Sequence, residues 1–378
     1  MANRFPHSKS LCAFAVPLLA AVGLVGCVRA PMLQYVPSEP PVASLPLAAS
    51  GVADGRRVFA RNFAAELASS APDSAKDVAK WTHWPTTPLS SSNLAPPLRG
   101  VSVLVVSGIF GDCVADQSLP FSDGVARTTS TNLKEGYAYL APSGLQHVRA
   151  ISVRGRASSA TNGKVIAAAI RQESKDPAVS RIIVVGYSKG VPDTLHALEQ
   201  LGGSGLPHQP LSFVSLSGVV MGTSIADTHE ELYKQLATRF DGLECTPSDG
   251  QEVASLTKRE RLRWLASHPR FPGISLYTIV AHTSAKSISP GLRPFYRSLA
   301  KADLRNDGQV LASDAVLPDS TLLAEVNSDH WTYVLPLRDH PNWLVRTAAA
   351  DRPYPRSEFF RALVRTVVEL DIAREGIK

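Results

Sequence analysis

The stretch that decides the fold reads Arg181-Ile182-Ile183-Val184-Val185-Gly186-Tyr187-Ser188-Lys189-Gly190-Val191-Pro192. Its first half is an unbroken β-branched run, the pattern of a strand buried on both faces. Its second half opens a helix: Pro192 suits a first turn, and Leu195, Leu198 and Leu201 recur further along. Between them lies Gly186-Tyr187-Ser188-Lys189-Gly190. By average composition Gly-x-Ser-x-Gly arises by chance about once in eight chains of this length, so the setting carries the argument. A strand turning sharply into a helix through a serine holds the hydroxyl on a strained corner, and flanking glycines let strand and helix approach. The helix N-terminus then aims its amides and dipole at developing negative charge. Ser188 is the candidate nucleophile.

Outward from this stretch, similar short runs recur. Val101–Val106 ends at Ser107-Gly108, His147–Val153 at Arg154-Gly155, and Leu211–Leu216 at Ser217-Gly218; Ile274–Ala281 and Thr321–Val326 follow. Helical patterns at Lys164–Glu173, at Lys189–Leu201 and around Phe359, Phe360, Leu363, Val364 and Val367 stand between or after them. Strands alternating with helices predict an α/β fold with a mostly parallel sheet covered on both faces. Residues 228–270 carry helical pattern without a strand and read as an insertion. Before residue 100, Val58, Phe59, Phe63 and Leu67 predict a docked helix, and residues 72–98, with Trp81 and Trp84, a wrapping loop.

A serine nucleophile needs a base, and the base an orienting acid, in the chain order Ser, acid, His for this kind of turn. Asp307, in Asn306-Asp307-Gly308, lies beyond the strand Ile274–Ala281 in a tight-turn sequence; Asp303 and Asp314 are the fallback acids. His330 follows the last predicted strand, alone among ten histidines in combining this order with this position. For an oxyanion, the backbone N–H groups of Lys189 and of Ile109, after Ser107-Gly108, are expected donors, with Phe110 second to Ile109. The Lys189 side chain reads as solvated or at a pocket rim. Arg154 and Arg156 read as surface residues, with an anionic substrate as their other use.

At these motifs the chain resembles the α/β-hydrolase superfamily, in its bacterial lipase/esterase branch, from about Val101 to the C-terminus. Gly222-Thr223-Ser224-Ile225-Ala226-Asp227 is similar to the lipase segment that leads into the lid, whereas Ser107-Gly108 departs from the His-Gly common before the oxyanion residue. The resemblance implies an α/β-hydrolase fold with a helical cap insertion at about 228–270, within a hydrolase domain spanning 101–378. It implies cleavage of carboxylic esters or lipids by Ser188, His330 and Asp307, without metal or organic cofactor. The same residues would serve an acyltransferase; a catalytically silent envelope-binding protein on the same fold is the reading from another class.

The N-terminus reads as an address. Arg4 and Lys9 precede an uncharged stretch, Leu11–Gly26, too short for the ~20 residues of a spanning helix. Leu24-Val25-Gly26-Cys27 resembles a bacterial lipobox, so residues 1–26 are expected to be cleaved and Cys27 acylated. Residues 27–52 are a Pro/Ala/Ser tether, and residues 53–100 hold the docked helix and wrapping segment. Val28, where retention in an inner membrane is often signalled by Asp, points to the outer membrane of a Gram-negative envelope, facing the periplasm. Removing Arg4 and Lys9 takes the formal charge from +6 to +4, too mild for nucleic acid, and the 44% hydrophobic, 19% charged composition excludes disorder. In such a compartment Cys113 and Cys245 could pair; the sequence leaves that open. His229-Glu230 lacks the second His of a zinc motif, and Gly163-Lys164 lacks the Ser/Thr of a phosphate loop.

Overall fold

The β-branched runs become the centre of one sheet. A computed structural model describes residues 51–71, 77–84, 98–109, 119–122, 127–130, 133–135, 137–145, 147–228, 249–268, 270–340 and 343–376. The strands are β1 (Ala53–Asp54), β2 (Thr82–Trp84), β3 (Val101–Val106), β4 (Arg127–Ser130), β5 (Leu133–Glu135), β6 (His147–Ile151), β7 (Arg181–Tyr187), β8 (Leu211–Leu216), β9 (Ile274–His282) and β10 (Thr321–Asn327). Their order is β1-β10-β9-β8-β7-β3-β6-β5-β4, with β2 also on β10. All neighbours from β1 through β6 are parallel; β2, β4 and β5 pair antiparallel. β3, β7 and β8 are buried along their whole length, as the central strands of a sheet covered on both faces are; of their serines, Ser102 pairs with Glu173 at 2.7 Å and Ser212 with Asp371 at 2.6 Å.

The helices are α1 (Arg56–Ser70), α2 (Val78–Trp81), α3 (Ser159–Glu173), α4 (Gly190–Ser204), α5 (Lys258–Ser267), α6 (Arg293–Leu299), α7 (Trp343–Ala348) and α8 (Arg356–Glu375). One cluster joins α1 and α8 to the sheet: Phe359 packs edge-on to Phe59 and Phe63, with centroids 5.1 and 5.6 Å away. A second cluster gathers Ile166 and Ile170 of α3, Leu195 and Leu198 of α4 and Trp264 of α5. α3, α4 and α5 thus provide the crossover helices that parallel neighbours need.

The structure refines several expectations. Within 228–270, residues 258–267 form α5, which buries Trp264 among residues of α3, α4 and the sheet; residues 229–248 lie outside the described residues. Residues 78–84 are a short helix and an edge strand where a loop is expected. Val52, at the end of the expected tether, is already docked in a small apolar cluster with Val280, Val310 and Val316. Residues 1–50, including the Leu24–Cys27 motif, and Phe110, Cys113 and Cys245 lie outside the described residues. No described helix is long and apolar enough to cross a membrane.

Candidate active site

Because β3, β7, β8, β9 and β10 run parallel, their C-terminal ends share one edge, and the residues picked out above gather there. In open α/β sheets that edge is where ligands bind. Ser188 sits between β7 and α4 with φ +54°, a left-handed conformation that costs a non-glycine residue roughly 1–2 kcal/mol. Hydrogen bonds hold it there: Ser188 N–H donates to Leu216 O (3.1 Å), and Ser188 O accepts from Val191 N–H (3.1 Å) and Val219 N–H (3.3 Å). A Cβ on Gly190 would lie 2.6 Å from Val106 O, and one on Gly186 2.9 Å from Gly190 O, so both flanking positions demand glycine. The loop after β3 closes on the same serine: a Cβ at Gly108 would lie 3.0 Å from Ser188 Cβ.

His330 follows β10, its Nδ1 2.7 Å from Asp307 Oδ2, with both residues buried. The other Asp307 oxygen accepts from Gln309 N–H (2.8 Å) and Val310 N–H (2.9 Å), within a turn whose Gly308 has φ +90°. His330 N–H donates to Asp307 O at 2.9 Å, locking the two loops together. The fallback acids are engaged elsewhere: Asp303 with Arg305 at 2.9 Å and Asp314 with Lys258 at 2.7 Å. Burial holds the Asp314 carboxyl above the usual carboxylate range against the pull of Lys258.

Two supporting residues had no role from sequence. Tyr187 O–H donates to His330 O at 2.8 Å, and its ring lies 5.1 Å from the imidazole. Burial pushes this phenol well above its ordinary value, so it stays a neutral donor. Asp329 fixes the histidine loop from the other side, accepting from Ser289 N–H (2.7 Å), Trp331 N–H (3.1 Å) and Thr332 N–H (2.8 Å). Tyr187 was findable, since the residue before the serine must point under the turn; Asp329 has no signal beyond adjacency to His330.

Among the described residues no acceptor takes up the backbone N–H of Ile109 or of Lys189. The Lys189 side chain corrects its sequence reading: it is fully buried, with Nζ 2.8 Å from both Asp193 oxygens. Arg156 is likewise buried, not on the surface. Among the described residues no group of three His, Cys, Asp or Glu is placed to hold a metal ion.

No protein-family model matches the chain, and no curated protein does. Among solved structures, the metagenomic carboxyl esterase MGS0156 is 26% identical, with TM-score 0.69, covering 93% of this chain and 99% of its own. The mature Bacillus licheniformis lipase BlEst2 is 18% identical, with TM-score 0.45, covering 64% of this chain and 89% of its own. A lipase-esterase related protein from Clostridium acetobutylicum is 14% identical, with TM-score 0.34, covering 64% and 91%. By its sheet order, its strained strand-to-helix turn and the full-length likeness to the metagenomic esterase, the chain is a member of the α/β-hydrolase superfamily.

Proposed function

We propose that the chain is a serine-dependent carboxylic ester hydrolase working through Ser188, His330 and Asp307. The observation that carries this reading is the 2.7 Å contact of His330 Nδ1 with Asp307, on a loop to which Tyr187, directly before the serine held at φ +54°, donates its O–H. With Asp307 accepting at Nδ1, the imidazole keeps its lone pair at Nε2 for a proton. Ser188 Oγ attacks the ester carbonyl carbon while Nε2 takes its proton. The tetrahedral oxyanion lies against the Ile109 and Lys189 N–H groups. The carbon–oxygen bond to the alcohol then breaks, and the imidazolium returns the proton to the departing oxygen. Water, activated by the same base, attacks the acyl-serine, releases the acid and restores Ser188. The full-length likeness to a carboxyl esterase supports the same substrate class.

A series of p-nitrophenyl esters from acetate to palmitate tests this. Hydrolysis well above the buffer rate is expected for at least part of the series, and its optimum chain length defines the acyl pocket. Buffer-level rates across the whole series would contradict the reading.

The enzyme is also read as a lipoprotein of the bacterial envelope, anchored through acylated Cys27 at the outer membrane and facing the periplasm. Cys27→Ser is expected to abolish palmitate incorporation and leave an unprocessed or a soluble periplasmic form. A Cys27→Ser protein that is still processed and still labelled by palmitate would move the anchor elsewhere.

A further inference from the structure

A second buried polar set lies beneath the proposed nucleophile. Lys189 Nζ donates to both oxygens of Asp193, one turn along α4. Asp193 Oδ2 also accepts from Asn162 Nδ2 at 2.7 Å. Asn162, in the first turn of α3, donates as well to Arg154 O (2.8 Å) and accepts from Arg154 N–H (3.1 Å). The chain thus ties the turn at Ser188 to α3 and to the segment after β6. The two helices come close enough for this at Gly163, where a Cβ would lie 2.8 Å from His196 Cβ. Lys189, Asp193 and Asn162 are all buried.

Stability alone is weak grounds for an ion pair here, although Asp193 also faces the buried Arg261 guanidinium as counter-charge. A buried lysine and aspartate pay desolvation that apolar residues of similar volume avoid, and such replacements are often neutral or stabilising. The Lys189 backbone offers another explanation. Its N–H has no acceptor among the described residues and directly follows Ser188. An oxyanion donor stabilises the transition state only if aimed, in advance, at where the charged oxygen will sit. A side chain clamped to its own helix at i+4, and through Asn162 to a neighbouring helix, restrains the peptide plane that carries this N–H.

We propose that Lys189, Asp193 and Asn162 form a positioning device for the oxyanion: the buried side-chain pair holds the Lys189 backbone N–H in its donating orientation. The proposal rests on the reading of Ser188 as nucleophile. Since losing a whole oxyanion donor costs about 10²–10³ in kcat, misaiming one is expected to cost about 10–100-fold.

The test compares the full chain with Lys189→Met/Asp193→Leu, which replaces the pair by apolar side chains, and with Asn162→Ala, which keeps the pair but cuts its tie to α3 and to the Arg154 backbone. Folded fraction is read by circular dichroism and active sites by fluorophosphonate titration. The expected result is kcat per titrated site down about 10–100-fold in the double variant and less in Asn162→Ala, with KM within about threefold. Affinity for an alkyl boronic acid, which forms a tetrahedral adduct, should fall in step with kcat/KM. If the double variant does not fold, Asn162→Ala decides. Unchanged kcat per titrated site in the folded variants, or a loss matched wholly by lost active sites, would overturn the proposal and leave the pair a packing element. A fully active Ser188→Ala control would instead overturn the reading of Ser188, and the proposal with it.

Discussion

Ser188→Ala is expected to abolish ester hydrolysis and leave the protein folded. Removing the nucleophile of a serine triad lowers kcat by about 10⁶-fold, because His330 and Asp307 then have no hydroxyl to activate. The residual rate over buffer would come from the oxyanion donors and from substrate binding. The fold should hardly notice: alanine keeps the Cβ, so the left-handed turn at φ +54° carries the same strain with either residue, and the backbone hydrogen bonds to Leu216, Val191 and Val219 are untouched. A melting temperature within about 2 °C of the parent is expected for such a change. The assay is turnover of the best p-nitrophenyl ester, with circular dichroism confirming the fold. Retention of more than about a tenth of the parent rate would remove Ser188 from the mechanism.

Asp307→Asn is expected to cost about 10⁴-fold in kcat. The asparagine oxygen can still accept from Gln309 and Val310 N–H, as Asp307 Oδ1 does now. Its amide nitrogen then faces His330 Nδ1, where Asp307 Oδ2 now sits at 2.7 Å. Two N–H donors cannot share that contact, so the imidazole gives up its Nδ1 proton and carries hydrogen at Nε2. The nitrogen that should take the serine proton is then already occupied. Asp303→Asn and Asp314→Asn, whose carboxylates pair with Arg305 and Lys258, should keep activity near the parent's. A fully active Asp307→Asn beside an inactive Asp303→Asn or Asp314→Asn would transfer the orienting role.

How much of this was legible in the sequence follows from what each element rests on. β3, β6, β7, β8, β9 and β10 are long enough to carry their own apolar pattern, and the sequence places each of them to within two residues at either end. β1, β2, β4 and β5 are two to four residues long and exist because a neighbouring strand offers unpaired backbone groups; no local pattern announces that. The Ser188 turn was readable because its strand, glycines and helix are contiguous. The contact of Asp307 with His330 was readable as an order along the chain, but its geometry is tertiary. The Lys189 side chain was misread because a lysine beside a glycine turn usually faces solvent. One signal pointed the other way: Asp193 follows it at i+4 on the leucine-rich helix α4, the spacing at which a buried lysine finds its own counter-ion.

The central claim is that Ser188 is the residue that becomes covalently acylated. It is tested most directly by treating the full chain with an alkyl fluorophosphonate and locating the adduct by peptide mass spectrometry. The expected result is a single phosphonyl group on the peptide carrying Gly186–Gly190, absent in Ser188→Ala and slower to form in Asp307→Asn. An active enzyme that takes no adduct, or takes it on another residue while Ser188 stays unmodified, would contradict it.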